Sequence, residues 1–165
     1  MRAQNKILIA YYSWSGNTRY LAEQIKKNTN ADIFEIVPAN AYPEDYNACV
    51  DQAKKEINFN FKPALKSKLE CIDAYEIIIV GSPNWWSTFA PPVATYLSGY
   101  DFTGKTILPF ITQEGTRMGK SVENIKKLCP TANILSGLPI KGSNVRNAES
   151  DIQEWLWVNG ILQKQ

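Results

Sequence analysis

Histidine does not occur among the 165 residues. Its absence removes Ser-His-Asp and Cys-His nucleophilic machinery together with the commonest metal ligand, so any chemistry here falls to a cofactor and no catalytic side chain is assigned. Cysteine is scarce. Cys49, Cys71 and Cys129 are odd in number and widely separated, which argues against a disulfide framework and a zinc site and for reduced, partly buried thiols. No apolar run approaches the ~20 residues that span a bilayer, and the N-terminal apolar run is too short and too rich in tyrosine for a signal sequence. A cytoplasmic protein with no membrane partner and no metal is expected. An excess of one charge is also missing: 18 Lys and Arg stand against 16 Asp and Glu, a net charge of +2. With no basic stripe carrying interleaved aromatics, nucleic acid is not expected as a partner. No linker or repeat divides the chain, so residues 1–165 read as one domain.

What remains is ordinary for a globular protein, 44% hydrophobic and 21% charged, in a chain long enough to bury roughly two-thirds of its unfolded surface. The most informative stretch runs from Lys6 to Thr18. An apolar run, Ile7 to Tyr12, breaks into Ser13-Trp14-Ser15-Gly16-Asn17-Thr18, and from Tyr20 apolar residues recur at helical spacing (Leu21, Ala22, Ile25). A buried strand, a tight polar loop and a helix N-terminus follow. The first amides of a helix lack intrahelical partners and carry about half a positive charge, so an anion is favoured there. Gly16 allows close backbone approach, and Ser13, Ser15 and Thr18 add hydroxyl donors for a phosphate. Neither Gly-x-x-x-x-Gly-Lys-Ser/Thr nor Gly-x-Gly-x-x-Gly stands at this junction, which excludes two other phosphate loops. The stretch also fits an ordinary strand-to-helix turn capped by Ser or Asn. Ser13-x-Ser15-Gly16-Asn17-Thr18 after a first strand resembles the FMN phosphate loop of flavodoxins, whose pattern is Thr/Ser-x-Thr/Ser-Gly-x-Thr.

Further along, Ala31 to Val37 alternates well enough for an edge strand ended by Pro38. Residues 39–69 are the least regular part. There Asp45 caps a predicted helix from Tyr46 to about Ile57, with Tyr46, Val50, Ala53 and Ile57 on one face. Glu76 to Gly81 is a wholly apolar strand of the kind buried in a parallel sheet, and a helix starts at Pro91-Pro92. A strand over Thr106 to Thr112, a helix from about Lys120 to Leu128, a last strand around Asn133 to Leu138 with a break expected at Ser136-Gly137, and a Ser150-capped helix to about Leu162 complete the pattern. Five strands, each followed by a helical segment, predict an α/β fold, a three-layer sandwich around a five-stranded parallel sheet in the flavodoxin-like order 2-1-3-4-5. In such sheets a ligand sits beyond the carboxyl ends of strands 1 and 3, and the loops at Ser13, Pro83 and Thr112 all fall on that edge.

A ligand with a phosphate at one end and a flat aromatic at the other suits these loops. Adjacent tryptophans beside Pro83 either stack on that ring or fold back over the core. Pro83-Asn84-Trp85 resembles the Pro-Thr-Trp of the flavodoxin flavin-stacking loop, and Thr112 to Gly115 resembles the loop that holds the flavin's pyrimidine edge. The likeness spans nearly the whole chain and implies FMN as cofactor. It implies Ser13, Trp14, Ser15, Gly16, Asn17 and Thr18 around the phosphate. It also implies Pro83, Asn84, Trp85, Trp86 and Ser87 flanking the isoalloxazine, with Trp85 as the stacking ring, and Thr112, Gln113, Glu114 and Gly115 at its polar edge.

Three features depart from the best-known flavodoxins, which are strongly acidic. This chain carries +2, with Arg19, Arg117 and Lys120 close to the three loops in sequence, so a less negative potential is expected. No aromatic occurs between Gln113 and Gly119 to close the outer flavin face; Trp86 covers it, or it stays open to a substrate. The peptide that flips in the family corresponds to Trp86-Ser87, which has no glycine, so a weakly populated one-electron-reduced flavin is expected. Phe59 and Phe61 either pack on the sheet or line the flavin's rim. The resemblance implies one-electron transport between transient redox partner proteins through FMN. The main alternative is an FMN-dependent oxidoreductase that reduces a quinone-like or other small acceptor with NAD(P)H, and a third is a binding module that keeps the fold without the flavin.

Overall fold

The first strand, β1 (Ile7–Tyr11), is apolar throughout because it lies inside the sheet with both faces covered. Leu8 and Ala10 pack into one hydrophobic cluster and Ile9 and Tyr11 into the other, following the two-residue period of a strand. The structure, a computed structural model, describes residues 6–162 other than Ser67 and Glu70. β1 pairs in parallel with β2 (Asp32–Glu35) on one side and β3 (Ile77–Trp85) on the other. β3 in turn pairs in parallel with β5 (Thr106–Gln113), and a two-residue strand β4 (Thr88–Phe89) folds back on the end of β3.

The last strand comes in two pieces, β6 (Asn133–Ile134) and β7 (Leu138–Lys141), both parallel to β5. Ile107 faces Ile134 and Phe110 faces Leu138, so the last strand carries one more residue than β5 over the same span. That extra residue reverses the alternation, as a bulge does. Ile134 packs with one cluster, whereas Leu138 and Ile140 pack with the other. The break expected near Ser136-Gly137 is therefore real, and the strand runs on to Lys141 rather than ending at Leu138. Counting the split strand once, the parallel order is the predicted 2-1-3-4-5.

Helices cover both faces in a three-layer sandwich. α2 (Tyr46–Asn58), α3 (Pro91–Ser98) and α4 (Ser121–Leu128) bury Cys49, Val93, Tyr96, Leu97 and Ile125 on one side. α1 (Asn17–Thr29) and α5 (Glu149–Val158) bury Leu21, Ala22, Ile25, Ile152, Trp155 and Leu156 on the other. Asp45 caps α2 as predicted, its carboxylate accepting from the Ala48 amide at 2.9 Å. Ser150 does not cap α5; the helix begins at Glu149 behind Ala148, with no side-chain cap, and ends at Val158.

Two expectations about residues 39–69 change. The face of α2 containing Tyr46, Val50 and Ala53 is turned toward a cleft at the sheet edge, which leaves Tyr46 68% exposed. Phe59 and Phe61 neither pack on the sheet nor line that cleft; they are 83% and 52% exposed. The hydrogen bond from Phe61 N to Glu56 O closes the end of α2 and turns the chain away from the core.

Candidate functional site

At the carboxyl end of β1 the chain turns into α1 through Gly16, whose φ of 100° lies in the left-handed region that glycine adopts without cost. The Gly16 amide donates to Ser13 Oγ at 3.1 Å, and Tyr20 N donates to Gly16 O at 3.0 Å, closing the first helical turn. No side chain caps the helix, and a Cβ placed on Gly16 would meet nothing within 4 Å. The first amides of α1 therefore lack a side-chain partner. Behind them Thr18, buried, shares a hydrogen bond with Thr112 Oγ1.

β3 reaches Trp85, so Pro83, Asn84 and Trp85 belong to a strand rather than to the loop read from sequence. Trp85 pairs with Thr88 and Asn84 with Phe89, leaving Trp86 and Ser87 as the two residues of a hairpin turn. Both have positive φ, 55° and 66°, as a turn matching the strand twist requires. Neither is glycine, and a left-handed residue with a Cβ costs about 1–2 kcal/mol. The third loop holds this turn in place. Lys120 N donates to Ser87 O at 2.6 Å, and Gly119, at φ 53°, sits where a Cβ would collide with that same oxygen. Asn84 Nδ2 donates to Thr116 Oγ1 and to Arg117 O, and Asn124 Nδ2 donates to Thr88 Oγ1.

The two tryptophans divide the readings weighed above. Trp85 leans partly on the core, edge-on to Tyr12 and Tyr42 with ring centroids at 5.6 and 5.0 Å, and still forms cleft wall. Trp86 is 48% exposed; its Nε1 donates to Val50 O at 3.1 Å and its ring lies 5.2 Å from Lys54 Nζ. On the far side, Trp14 donates Nε1 to Pro43 O and tilts against Tyr46.

One cleft of about 660 Å³ gathers these pieces, within the range of small-molecule sites. Its walls include Trp14, Ser15, Asn17, Pro83, Asn84, Trp85, Trp86, Ser87, Thr112, Gln113, Glu114 and Gly115 from the three loops. Ser13, Gly16 and Thr18 stand behind it, Ser13 occupied by the Gly16 amide and Thr18 by Thr112. Tyr46, Cys49, Val50, Ala53, Thr116 and Gly142 also line it and are missing from the sequence-based set. The apolar residues of α2 were the legible signal for four of them, Tyr46, Cys49, Val50 and Ala53. Gly142 follows the last strand and so reaches the same edge; a Cβ on it would strike Glu114 Oε1 and Asn17 Nδ2.

Charge in the cleft differs from the sequence expectation. Arg19 turns away, bonded to Glu35 and to Tyr11 Oη, and neither Arg117 nor Lys120 lines the walls. Glu114 is the one ionisable acid or base there apart from the weakly acidic Tyr46 and Cys49. Burial, then the nearby Glu56 carboxylate, pushes the Cys49 thiol up to about 11. Burial first, then the hydrogen bond to Glu56, raises Tyr42 well above an ordinary phenol. Burial likewise leads the rise at Tyr12. The floor beside Trp85 is thus neutral at physiological pH.

The sequence matches a known family model, described as flavodoxin, over residues 6–159. The chain belongs to the flavodoxin family. Among solved structures, a candidate flavoprotein from Bacteroides eggerthii is 33% identical, with 94% of this chain and 98% of that chain covered and a TM-score of 0.83. A flavoprotein in complex with FMN from Lactobacillus acidophilus is 28% identical, covering 87% and 97% at a TM-score of 0.70. An FMN-bound flavodoxin from Fusobacterium nucleatum, 14% identical with 94% and 97% covered, shares the fold at a TM-score of 0.61. Among curated proteins no relative matches. As in the rest of the molecule, no group of three or more His, Cys, Asp or Glu side chains placed to hold a metal occurs among the described residues, and no described helix is long and apolar enough to cross a membrane.

Proposed function

We propose that this flavodoxin-family chain binds FMN in the cleft and carries electrons one at a time between transient protein partners. The observation that carries the proposal is one cleft lined by Ser15 and Asn17 at the uncapped start of α1 and by Trp85 and Trp86. The residues fit such a ligand. Uncapped amides and Ser15 supply neutral donors for a phosphate, and indole walls supply stacking surface for a flat ring. Bound FMN would supply a ring that accepts one electron or two.

The chain's own residues would bind and orient that ring. Asn17 and the first amides of α1 would hold the phosphate, while Trp85, edge-on to Tyr12 and Tyr42, would offer its indole to the ring. The turn at Trp86-Ser87, fastened through Lys120 and Gly119, sets its edge. Tyr46 and Trp14, tilted against each other, line the same cleft. Because Glu114 is the only carboxylate in the walls, little negative field opposes reduction, which supports a potential less negative than that of the acidic flavodoxins.

The lack of an aromatic between Gln113 and Gly119 favours a second reading, FMN-dependent reduction of a quinone-like or other small acceptor by NAD(P)H. Oxidation of NAD(P)H that requires the quinone would establish it over electron carriage. For the cofactor itself, titration with FMN and with riboflavin is decisive. The proposal expects FMN to bind at least about tenfold tighter, a difference of roughly 1.4 kcal/mol for the phosphate. Equal affinities would remove the phosphate role of α1.

A further inference from the structure

The end of α2 and the loop beyond it carry Lys54, Lys55, Lys62 and Lys66, all exposed. Between them Phe59 and Phe61 hold their rings in water, 83% and 52% exposed. These rings are not on a loose tail: Phe59 N bonds to Lys55 O at 3.1 Å and Phe61 N to Glu56 O at 2.8 Å, with Asn60 at φ 52° between them. Asp51 on α2 is exposed, whereas Glu56, the one acid between Lys54 and Lys66, is half-buried and bonded within the fold. Glu56 accepts from Tyr42 Oη at 2.5 Å and from Gln52 Nε2 at 2.9 Å. Among the described residues no carboxylate lies within 4.0 Å of any of the four ammonium groups. Lys54 reaches over the Trp86 ring, so the patch continues to the mouth of the cleft.

We propose that this surface docks a partner protein through an acidic contact face with an apolar centre, seated beside the cleft mouth. Two exposed aromatics with exposed lysines on either side of them in sequence supply the elements of an interface, apolar anchors with charged neighbours. Four exposed lysines attract an acidic face and speed its encounter. An anionic membrane fits less well. An interfacial helix lays a whole apolar face into lipid, whereas Cys49 and Ala53 of α2 are buried in this fold and only the two phenylalanines are on offer. The inference rests on the patch and not on what fills the cleft.

The test is an NMR titration of the ¹⁵N-labelled protein with an acidic plant-type two-iron ferredoxin, whose paramagnetic cluster broadens the amides that face it. Broadening centred on residues 54–66 and lost in about 0.5 M salt is expected. The triple variant Lys55→Glu, Lys62→Glu, Lys66→Glu should bind about tenfold more weakly with its spectrum otherwise unchanged. Phe59→Ser with Phe61→Ser should also weaken binding while preserving its salt dependence. Broadening centred elsewhere, an affinity indifferent to charge reversal, or binding of the patch to phosphatidylglycerol vesicles or basic cytochrome c but not to ferredoxin would overturn the proposal. Since the readout needs no flavin, its failure is separate from failure of the FMN reading.

Discussion

Thr18 Oγ1 and Thr112 Oγ1 lie 2.8 Å apart, both residues buried, and join the first turn of α1 to the end of β5 across 94 positions of sequence. The bond ties the bare helix start to the third loop. Replacing Thr18 with Val leaves the Thr112 hydroxyl buried and unpaired, which costs about 1–3 kcal/mol. Removing both hydroxyls together should cost clearly less than the sum of the two single changes, as read in a urea-unfolding double-mutant cycle.

The strain at the hairpin turn gives a second expectation. Ser87 holds φ 66° although it carries a Cβ. Ser87→Gly relieves about 1–2 kcal/mol of left-handed strain against a loss of roughly 0.5–1 kcal/mol from added unfolded-state freedom, so the variant should be slightly more stable. A lower urea midpoint for this variant would show that the turn is held for some reason other than its backbone.

Thiol chemistry separates the three cysteines. Cys71 is exposed and should react with a disulfide reagent at once at pH 8, while buried Cys49 and Cys129 react only as the protein opens. Burial raises both buried thiols from an ordinary value of 9 to about 11 in the folded state. The neutral thiol is therefore favoured by folding. Its contribution is complete below pH 9 and is lost as pH rises from 9 toward 11, so stability should fall over that window, and less steeply in Cys49→Ala.

Much of this arrangement was readable from the chain. Parallel strands announced themselves as continuous apolar runs, and the polar stretches that begin at Ser13 and Thr112 fell at the carboxyl ends of β1 and β5, on either side of β3. What stayed hidden depends on tertiary partners. Pro83 to Trp85 looks like loop but pairs as strand, because Thr88 and Phe89 return beside it and Thr112 lies opposite Pro83. Tyr46 looks like a core residue by spacing, yet α2 faces the cleft there. The bulge at the end of the sheet was visible only as the weak signal Ser136-Gly137, since register is set by β5 and not by the last strand alone.

Glu114 stands against Gly142 beside Asn17, near the start of α1. A carboxylate there opposes a bound phosphate, so Glu114→Gln should tighten FMN binding several-fold at low salt, or about 1 kcal/mol, with a smaller gain at high salt. Fluorescence titration at two ionic strengths measures both effects.

The most direct test is the visible spectrum of the purified protein after incubation with FMN and passage through a desalting column. The account predicts retained bands near about 370 and about 450 nm, with flavin fluorescence quenched by the indole walls. A column fraction of micromolar protein without flavin would contradict it, and with it both redox readings.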